Sequence, residues 1–103
     1  MALKPLKKID ETTSGEVYSV EHEGENYAIY CLENGEYYVS DDLCTHGCAR
    51  LSEGWIVDEY QIECPLHGGC FDIRDGSVTV PPAEEPVRVY PVSIEDGWIC
   101  IDA

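Results

Sequence analysis

Cys44-Thr45-His46-Gly47-Cys48 and Cys64-Pro65-Leu66-His67-Gly68 are the two stretches around which this sequence is organised. They spell C-x-H, then seventeen intervening residues, then C-x-x-H. Each stretch places one thiol and one imidazole on a tight loop, with glycine directly after the histidine. Two such loops can present two Cys and two His side chains to one site. The pattern therefore predicts a metal centre held between two loops.

The candidate ligands are Cys44, His46, Cys64 and His67, and their chemistry limits the choice of metal. Two soft thiolates suit iron with bridging sulfide, and two imidazoles can hold a second iron. A structural zinc site also accepts two Cys and two His, but zinc fingers normally pair Cys with Cys and His with His. Here the two residue types alternate along the chain. This alternation favours two bridged metals and leaves a colourless structural zinc module as an alternative.

The two stretches resemble the cluster-binding boxes of the Rieske family, in which two Cys hold one iron of a [2Fe–2S] cluster and two His hold the other. The glycine after each His, Pro65 after the second Cys and the loop spacing match as well. The resemblance covers nearly the whole chain. It implies one Rieske-type [2Fe–2S] cluster as cofactor, with Cys44, His46, Cys64 and His67 as its cofactor-binding residues and metal ligands.

Net charge is the most informative feature of the composition. The 103 residues fit one domain, and they carry 21 acidic against 6 basic side chains, a formal net charge of −15. From position 10 to position 42 there are ten carboxylates and no Lys or Arg. Such a field repels nucleic acid and anionic lipid and attracts basic protein surfaces. The same charge can also serve solubility alone.

The predicted location is the cytoplasm. No apolar run is long enough to span a membrane, and residues 1–8 lack the apolar core of a signal peptide and a twin-Arg motif. We expect Cys31 and Cys100 to be small core residues. A Cys48–Cys70 disulfide is not expected, because the cytoplasm is reducing.

Short apolar runs between Gly-containing turns predict an all-β chain without a convincing helix. The run Tyr27–Leu32 is apolar on both faces and predicts a central strand, while Asn34-Gly35 predicts a two-residue hairpin turn. The run Val87–Ile94 is predicted as one strand near the end of the chain. Trp55 and Trp98, at strand positions, are expected in the core rather than at a cofactor.

The resemblance implies a Rieske-type antiparallel β-sandwich with a small cluster-binding subdomain. Residues 1–103 would form a single Rieske domain, with a basal sandwich of about residues 1–42 and 86–103 and the cluster-binding subdomain at about 43–85. The proline-containing segment, residues 81–86, resembles the loop that covers one side of the cluster in this family.

The sequence around the two boxes most resembles that of the ferredoxins of bacterial aromatic-ring-hydroxylating dioxygenase systems. The resemblance is carried by Leu51-Ser52-Glu53-Gly54 and Glu63-Cys64-Pro65-Leu66-His67. This implies a soluble one-electron carrier that is not itself an enzyme. It would pass electrons from an NAD(P)H-dependent flavoprotein reductase to a terminal Rieske non-haem iron oxygenase. No catalytic residues are predicted: once His46 and His67 are used, only His22 remains, too few for a 2-His-1-carboxylate iron site.

Two further functions stay open at this point. A small Rieske-like subunit of an assimilatory nitrite reductase would share the size and compartment. A redox or iron–sulfur sensor would use Cys48 and Cys70 as its reactive thiols.

The resemblance also predicts a low reduction potential. High-potential Rieske proteins resemble one another in a Ser two residues after the second-box His and a Tyr two residues further on. Those positions are Gly69 and Phe71 here, so both hydroxyl groups are absent. High-potential members also carry a disulfide from the residue between Pro and His of the second box, which here is Leu66.

Overall fold

The computed structural model describes residues 3–45, 49–66, 68–81, 83 and 85–102. Three antiparallel sheets contain all the strands of these residues, and the helical segments among them are two single 3₁₀ turns, Ile9–Glu11 and Leu51–Glu53. This confirms the predicted all-β class. No helix in the described part of the chain is long and apolar enough to cross a membrane. His46, Cys48 and His67 lie outside the described residues.

The described residues form eleven strands in three sheets. In chain order they are β1 (Leu3–Lys8), β2 (Val17–His22), β3 (Glu25–Cys31), β4 (Tyr37–Asp41), β5 (Trp55–Val57), β6 (Gln61–Glu63), β7 (Cys70–Asp72), β8 (Val78–Val80), β9 (Val89–Tyr90), β10 (Val92–Glu95) and β11 (Trp98–Asp102). The first sheet has the order β1-β11-β10, the second β2-β3-β4-β9, and the third β5-β6-β7-β8. All strands of the third sheet lie within the predicted cluster-binding subdomain; the boundaries of that subdomain remain a prediction.

Strand β3 is central, as the sequence predicts, because it contributes to both apolar cores. Tyr27, Ile29 and Cys31 pack with the first sheet through Ile99 and Ile101. The alternate residues of the same run, Ala28, Tyr30 and Leu32, pack with the third sheet through side chains such as Ile62 and Phe71. Since successive side chains of a strand point to opposite faces, one apolar run holds the second sheet between the other two.

Tight turns set the register of most hairpins. Glu23-Gly24 and Asp96-Gly97 each have positive φ at both residues, which is the geometry of a type I′ hairpin turn. The predicted Asn34-Gly35 turn is present but longer than two residues: the Leu32 N–H donates to the Glu36 carbonyl at 2.9 Å. Gly35 takes the left-handed conformation, with φ +91°, as expected for a three-residue loop with a G1 bulge.

Two sequence predictions need correction, and one strand was not predicted. The run Val87–Ile94 is two strands, because β9 pairs with β4 and β10 pairs with β11, so the chain changes sheet at Pro91, a residue without a backbone N–H to donate. Residues 3–8, for which no strand was predicted, form an edge strand with a register shift between Pro5 and Lys7. Trp55 was expected in the core but is 49% exposed.

Candidate metal centre

The first predicted loop leaves the end of β4 and returns as a narrow hairpin. Leu43 and Arg50 form an isolated antiparallel bridge. One step further along, the Cys44 N–H donates to the Ala49 carbonyl at 2.9 Å. Cys44 is buried, whereas Leu43 beside it is among the most exposed apolar side chains of the described residues. The backbone thus turns the thiol inward at the base of the loop.

The second predicted loop connects β6 to β7. Glu63 pairs with Cys70 in the ladder, and the Cys64 N–H donates to the Gly69 carbonyl at 2.8 Å. Cys64 is buried and Leu66 is exposed. Gly68 has a φ of +75°, a left-handed conformation that glycine adopts without steric cost, so the loop turns tightly back into β7.

The two loops close with the same kind of hydrogen bond and bring their cysteines together. In each, a buried Cys at the first position donates its N–H to the carbonyl five residues later. Cys44 and Cys64 belong to the same apolar core, and the Cys44 thiol is close enough to raise the pKa of the Cys64 thiol. The structure therefore juxtaposes the two predicted thiol ligands, 20 positions apart in the chain.

The electrostatics of this pair suit a metal. Burial raises the pKa of the Cys64 thiol and the neighbouring Cys44 thiol raises it further, although a backbone hydrogen bond at Leu66 acts in the opposite direction. Two adjacent buried thiolates are unfavourable without a compensating positive charge, which a bound metal supplies. The donor set at the described positions therefore fits the thiolate half of a cluster. His46 and His67, the other two predicted ligands, lie outside the described residues.

The proline-containing segment contacts both loops. Thr45 in the first loop donates its hydroxyl to the Glu85 carbonyl at 2.7 Å. A Cβ added at Gly69 in the second loop would lie 3.1 Å from the Ala83 nitrogen. Ala83 is itself buried in the core that contains both cysteines. Residues 83 and 85 therefore lie against both loops, which is consistent with the predicted cover.

The second loop packs against apolar side chains and backbone, and the Glu63 carboxylate is a charged neighbour. Phe71 is fully buried, and Gly69 is too close to Ala83 for a side chain without movement of that residue. Cys70 is also buried, with its thiol 3.7 Å from the Gly68 carbonyl. Burial raises the pKa of Cys70, and the charge of Glu63 raises it further. Reactive thiols are accessible and have lowered pKa values, so Cys70 has the character of an inert core residue.

Of the other three cysteines, two are in the described part of the chain and one is not. Cys31 and Cys100 are buried core residues, as predicted, and both have free thiols together with Cys44, Cys64 and Cys70. Cys48, the partner considered for a bridge to Cys70, lies outside the described residues. Within the described part of the chain, no group of three or more His, Cys, Asp or Glu is arranged to hold a metal ion.

An all-β fold with two opposed Cys-bearing loops defines a class of two-loop iron–sulfur proteins. Residues 2–91 match the Rieske [2Fe–2S] domain family, and the chain belongs to that family. Its cofactor is accordingly one Rieske-type [2Fe–2S] cluster, and its fold is the Rieske-type antiparallel sandwich.

Comparison with known proteins narrows the relationship. The chain is 45% identical to the ferredoxin component of the p-cumate 2,3-dioxygenase system of Pseudomonas putida, over 90% of this chain and 79% of the relative. It resembles the structure of the Sphingomonas yanoikuyae B1 ferredoxin with a TM-score of 0.91, 43% identity and 99% coverage of both chains.

Two further structures are similar to this chain. A ferredoxin chain in the complex of reduced oxygenase and oxidized ferredoxin of carbazole 1,9a-dioxygenase matches with a TM-score of 0.86 and 31% identity, over 96% of this chain and 91% of that one. A protein described as an NADH-dependent nitrite reductase small subunit from Mycobacterium tuberculosis matches at 0.85 with 21% identity, over 97% and 93%. The second likeness is in the fold alone.

Proposed function

We propose that this protein is the ferredoxin of a bacterial aromatic-ring-hydroxylating dioxygenase system, and that it carries single electrons to the terminal oxygenase. The observation that carries this proposal is the near full-length similarity to dioxygenase ferredoxins, combined with two buried, adjacent cysteines on facing loops. The protein is an electron-transfer component and not the catalyst of the hydroxylation.

Cys44 and Cys64 would hold one iron of the cluster and His46 and His67 the other. The bound cluster supplies a one-electron donor and acceptor. The protein's own residues bury the two cysteines, and one backbone hydrogen bond within each loop, Cys44 to Ala49 and Cys64 to Gly69, closes that loop. Exclusion of water by the surrounding core limits the dielectric at the cysteines and helps to set the potential.

The partners follow from the relatives. A terminal Rieske non-haem iron oxygenase is the electron acceptor, as supported by the oxygenase–ferredoxin complex of carbazole 1,9a-dioxygenase. An NAD(P)H-dependent flavoprotein reductase is the electron donor. Leu43 and Leu66 are exposed apolar side chains on the two loops, suited to contact with a partner, and the net charge of −15 favours basic partner surfaces. Nucleic acid and membrane are not partners, and the site of action is the cytoplasm.

The reduction potential is expected near the bottom of the Rieske range, toward roughly −150 mV rather than +300 mV. Hydrogen bonds to cluster sulfurs stabilise the reduced state and raise the potential. Phe71 has no hydroxyl to offer, and Gly69 has no side chain. A low potential is appropriate for a carrier that receives electrons from a flavoprotein.

The alternatives are less well supported. The nitrite reductase subunit is similar in fold at 21% identity, far below the similarity to the dioxygenase ferredoxins. The sensor function requires reactive thiols, and Cys70 is buried with a raised pKa. A structural zinc module would contain zinc and no sulfide, and would have no visible colour.

The test begins with the purified protein. We expect two irons and two acid-labile sulfides per chain, and the EPR signal of a Rieske cluster after dithionite reduction. Mixed with a reductase and oxygenase of the p-cumate type, the protein should support NADH-dependent hydroxylation, whereas the cluster-free Cys64→Ser variant should not. Zinc without sulfide would refute the cluster. A normal cluster that exchanges electrons only with a nitrite reductase would refute the dioxygenase function.

A further inference from the structure

Asp42 is a buried carboxylate at the base of the first loop. It directly follows β4 and lies two positions before Cys44 in the chain. Its exposure is 0%, and among the described residues Ser40 is the only other buried polar or charged side chain. Burial of a carboxylate is costly unless hydrogen bonds and a countercharge compensate for the lost hydration. The contacts of Asp42 therefore show which interactions offset the cost of burying its charge.

Four hydrogen-bonding groups from two segments converge on this residue's side chain and carbonyl. The Ser52 N–H donates to Oδ1 at 2.8 Å, and the Ser52 hydroxyl donates to Oδ2 at 3.0 Å. The Ser19 hydroxyl of β2 donates to Oδ2 at 2.8 Å. The Asp42 carbonyl accepts from the Leu51 N–H at 2.7 Å. Asp42 thus joins β2 to the residues that follow the first loop.

These contacts fix both stems of the first loop. The outgoing stem is Asp42 and Leu43, and the returning stem runs from Ala49 to Ser52. The stems pair through the Leu43–Arg50 bridge and the Cys44–Ala49 hydrogen bond. Since Asp42 binds Leu51 and Ser52 directly beyond that bridge, it determines the register in which the stems meet, and hence the position of Cys44.

The negative charge of Asp42 is only partly balanced. Its cation is Arg50, whose Nη1 lies 3.7 Å from Oδ2, and the Arg50 side chain is 48% exposed whereas Asp42 is fully buried. Water weakens the field of the exposed guanidinium more than that of the buried carboxylate. A net negative field should therefore remain beneath the loop, and such a field opposes the addition of an electron nearby.

We propose that Asp42 is a positioning residue for the metal centre: it holds the stems of the first loop in register and places beneath them a buried negative charge that lowers the reduction potential, which Arg50 partly offsets. This inference rests on the proposed function, since it concerns the cluster that Cys44 would bind. It assigns opposite electrostatic effects to two residues in one ion pair.

The test compares midpoint potentials of three variants with the wild-type holoprotein by protein-film voltammetry. Asp42→Asn removes the charge and keeps an isosteric hydrogen-bonding group, because both serine hydroxyls can rotate to accept from the new amide. Arg50→Gln removes the countercharge. Glu53→Gln removes a carboxylate from an exposed position in the same segment and controls for total charge.

We expect Asp42→Asn to raise the potential, Arg50→Gln to lower it, and Glu53→Gln to change it much less than either. A purely structural role would move the first two variants in the same direction, through a shared distortion of the loop, and that result would overturn the proposal. A shift in Asp42→Asn no larger than that in Glu53→Gln would also overturn it.

If Asp42→Asn does not retain its cluster, the other two variants decide. A lowered potential in Arg50→Gln with little change in Glu53→Gln supports the proposal, and an unchanged Arg50→Gln refutes it. A wild-type protein without iron and sulfide would instead refute the proposed function, so the two failures are distinct.

Discussion

The two loops have the same backbone closure but are supported by different means. The first loop, residues 43–50, stands on a polar node in which Asp42 receives hydrogen bonds from Ser19 and Ser52. The second loop, residues 64–69, stands on close contacts between backbones. A Cβ added at Gly54 would lie 1.9 Å from the Glu63 carbonyl oxygen, directly before Cys64. Both arrangements hold a buried cysteine in place.

The difference predicts which kind of substitution affects each loop. A polar node contains a charge, so substitutions there can change the electrostatic field at the centre without changing its shape. Close backbone contacts exclude added volume, because backbone atoms cannot move aside as flexible side chains can. We therefore expect the first loop to be sensitive to charge and hydrogen bonding, and the second to size.

The largest expected effect concerns the histidine ligand that each loop is predicted to contribute. His46→Ala and His67→Ala should each abolish cluster binding, because either change removes half of the coordination of one iron. Cys70→Ser, close to the second box but not a predicted ligand, should retain the cluster. Iron and acid-labile sulfide in the purified proteins measure the outcome. A Cys70→Ser variant without iron, or a His variant with a normal Rieske EPR signal, would contradict the ligand assignment.

The next effect tests the size sensitivity of the second loop. Gly54→Ala should destabilise the protein by at least about 3 kcal/mol, the upper part of the usual range for overpacking, because the new Cβ meets the backbone at Glu63. Gly24→Ala is the matched control. No atom lies within 4 Å of its added Cβ, and its φ of +85° is the source of strain, which costs about 1–2 kcal/mol. Urea unfolding followed by circular dichroism compares the two; equal losses would remove the steric argument.

A smaller effect tests the hydrogen bonding of the first loop. Ser52→Ala removes the hydroxyl bond to Asp42 and leaves the Ser52 N–H bond in place. We expect a loss of about 1.5–3 kcal/mol, typical for a hydrogen bond to a charged group. Ser77→Ala removes a similar bond, to Asp75, at an exposed site. There the loss should stay within about 0.5 kcal/mol. If Ser77→Ala loses as much stability as Ser52→Ala, the hydrogen bonds of Asp42 do not stabilise the first loop more than an exposed bond would.

The smallest effect concerns an ion pair on the sheet of the second loop, away from the loop itself. The Arg74 guanidinium donates to both carboxylate oxygens of Asp72, and this hydrogen bonding lowers the pKa of Asp72. A carboxylate with a lowered pKa in the folded state stabilises the protein at pH values above its unfolded-state pKa of about 3.9. This contribution is lost as the pH falls through the folded-state pKa.

Asp72→Asn should therefore unfold at slightly lower urea than the wild type at pH 7, with unchanged cluster content at that pH. The difference between the two proteins should narrow as the pH is lowered toward 3. A difference that widens in acid would mean that the pair does not act through the charge of Asp72.

Much of the fold and the metal centre could be predicted because the signals are local. The turn at Asp96-Gly97 has a sequence signature that depends on backbone conformation alone. Cys44 and Cys64 could be assigned to one site because thiols that alternate with imidazoles at this spacing form a donor set suited to bridged iron. The apolar run of β3 predicted burial on both faces, which the structure confirms.

The features that could not be predicted depend on contacts between distant residues. Strand β1 contains Pro5 and three lysines, which conceal a strand in sequence but suit an edge strand. Asp42 is one of ten carboxylates in an acidic stretch, and nothing local distinguishes it from the other nine. Its burial results from Ser19 and Ser52, which the fold brings to it from 23 and 10 residues away. Trp55 was assigned to the core because it lies at a strand position, but its side chain is 49% exposed.

The position of strand β3 between the two cores affects how the protein unfolds. Residues 27–31 are all buried, and the same backbone forms one wall of each core. Neither core can open without exposing the rear face of the other, so partial unfolding at one end removes support from the opposite end. The amide protons of β3 should accordingly exchange with deuterium only through global unfolding, and loss of the cluster should weaken protection as far away as Ile99 in β11.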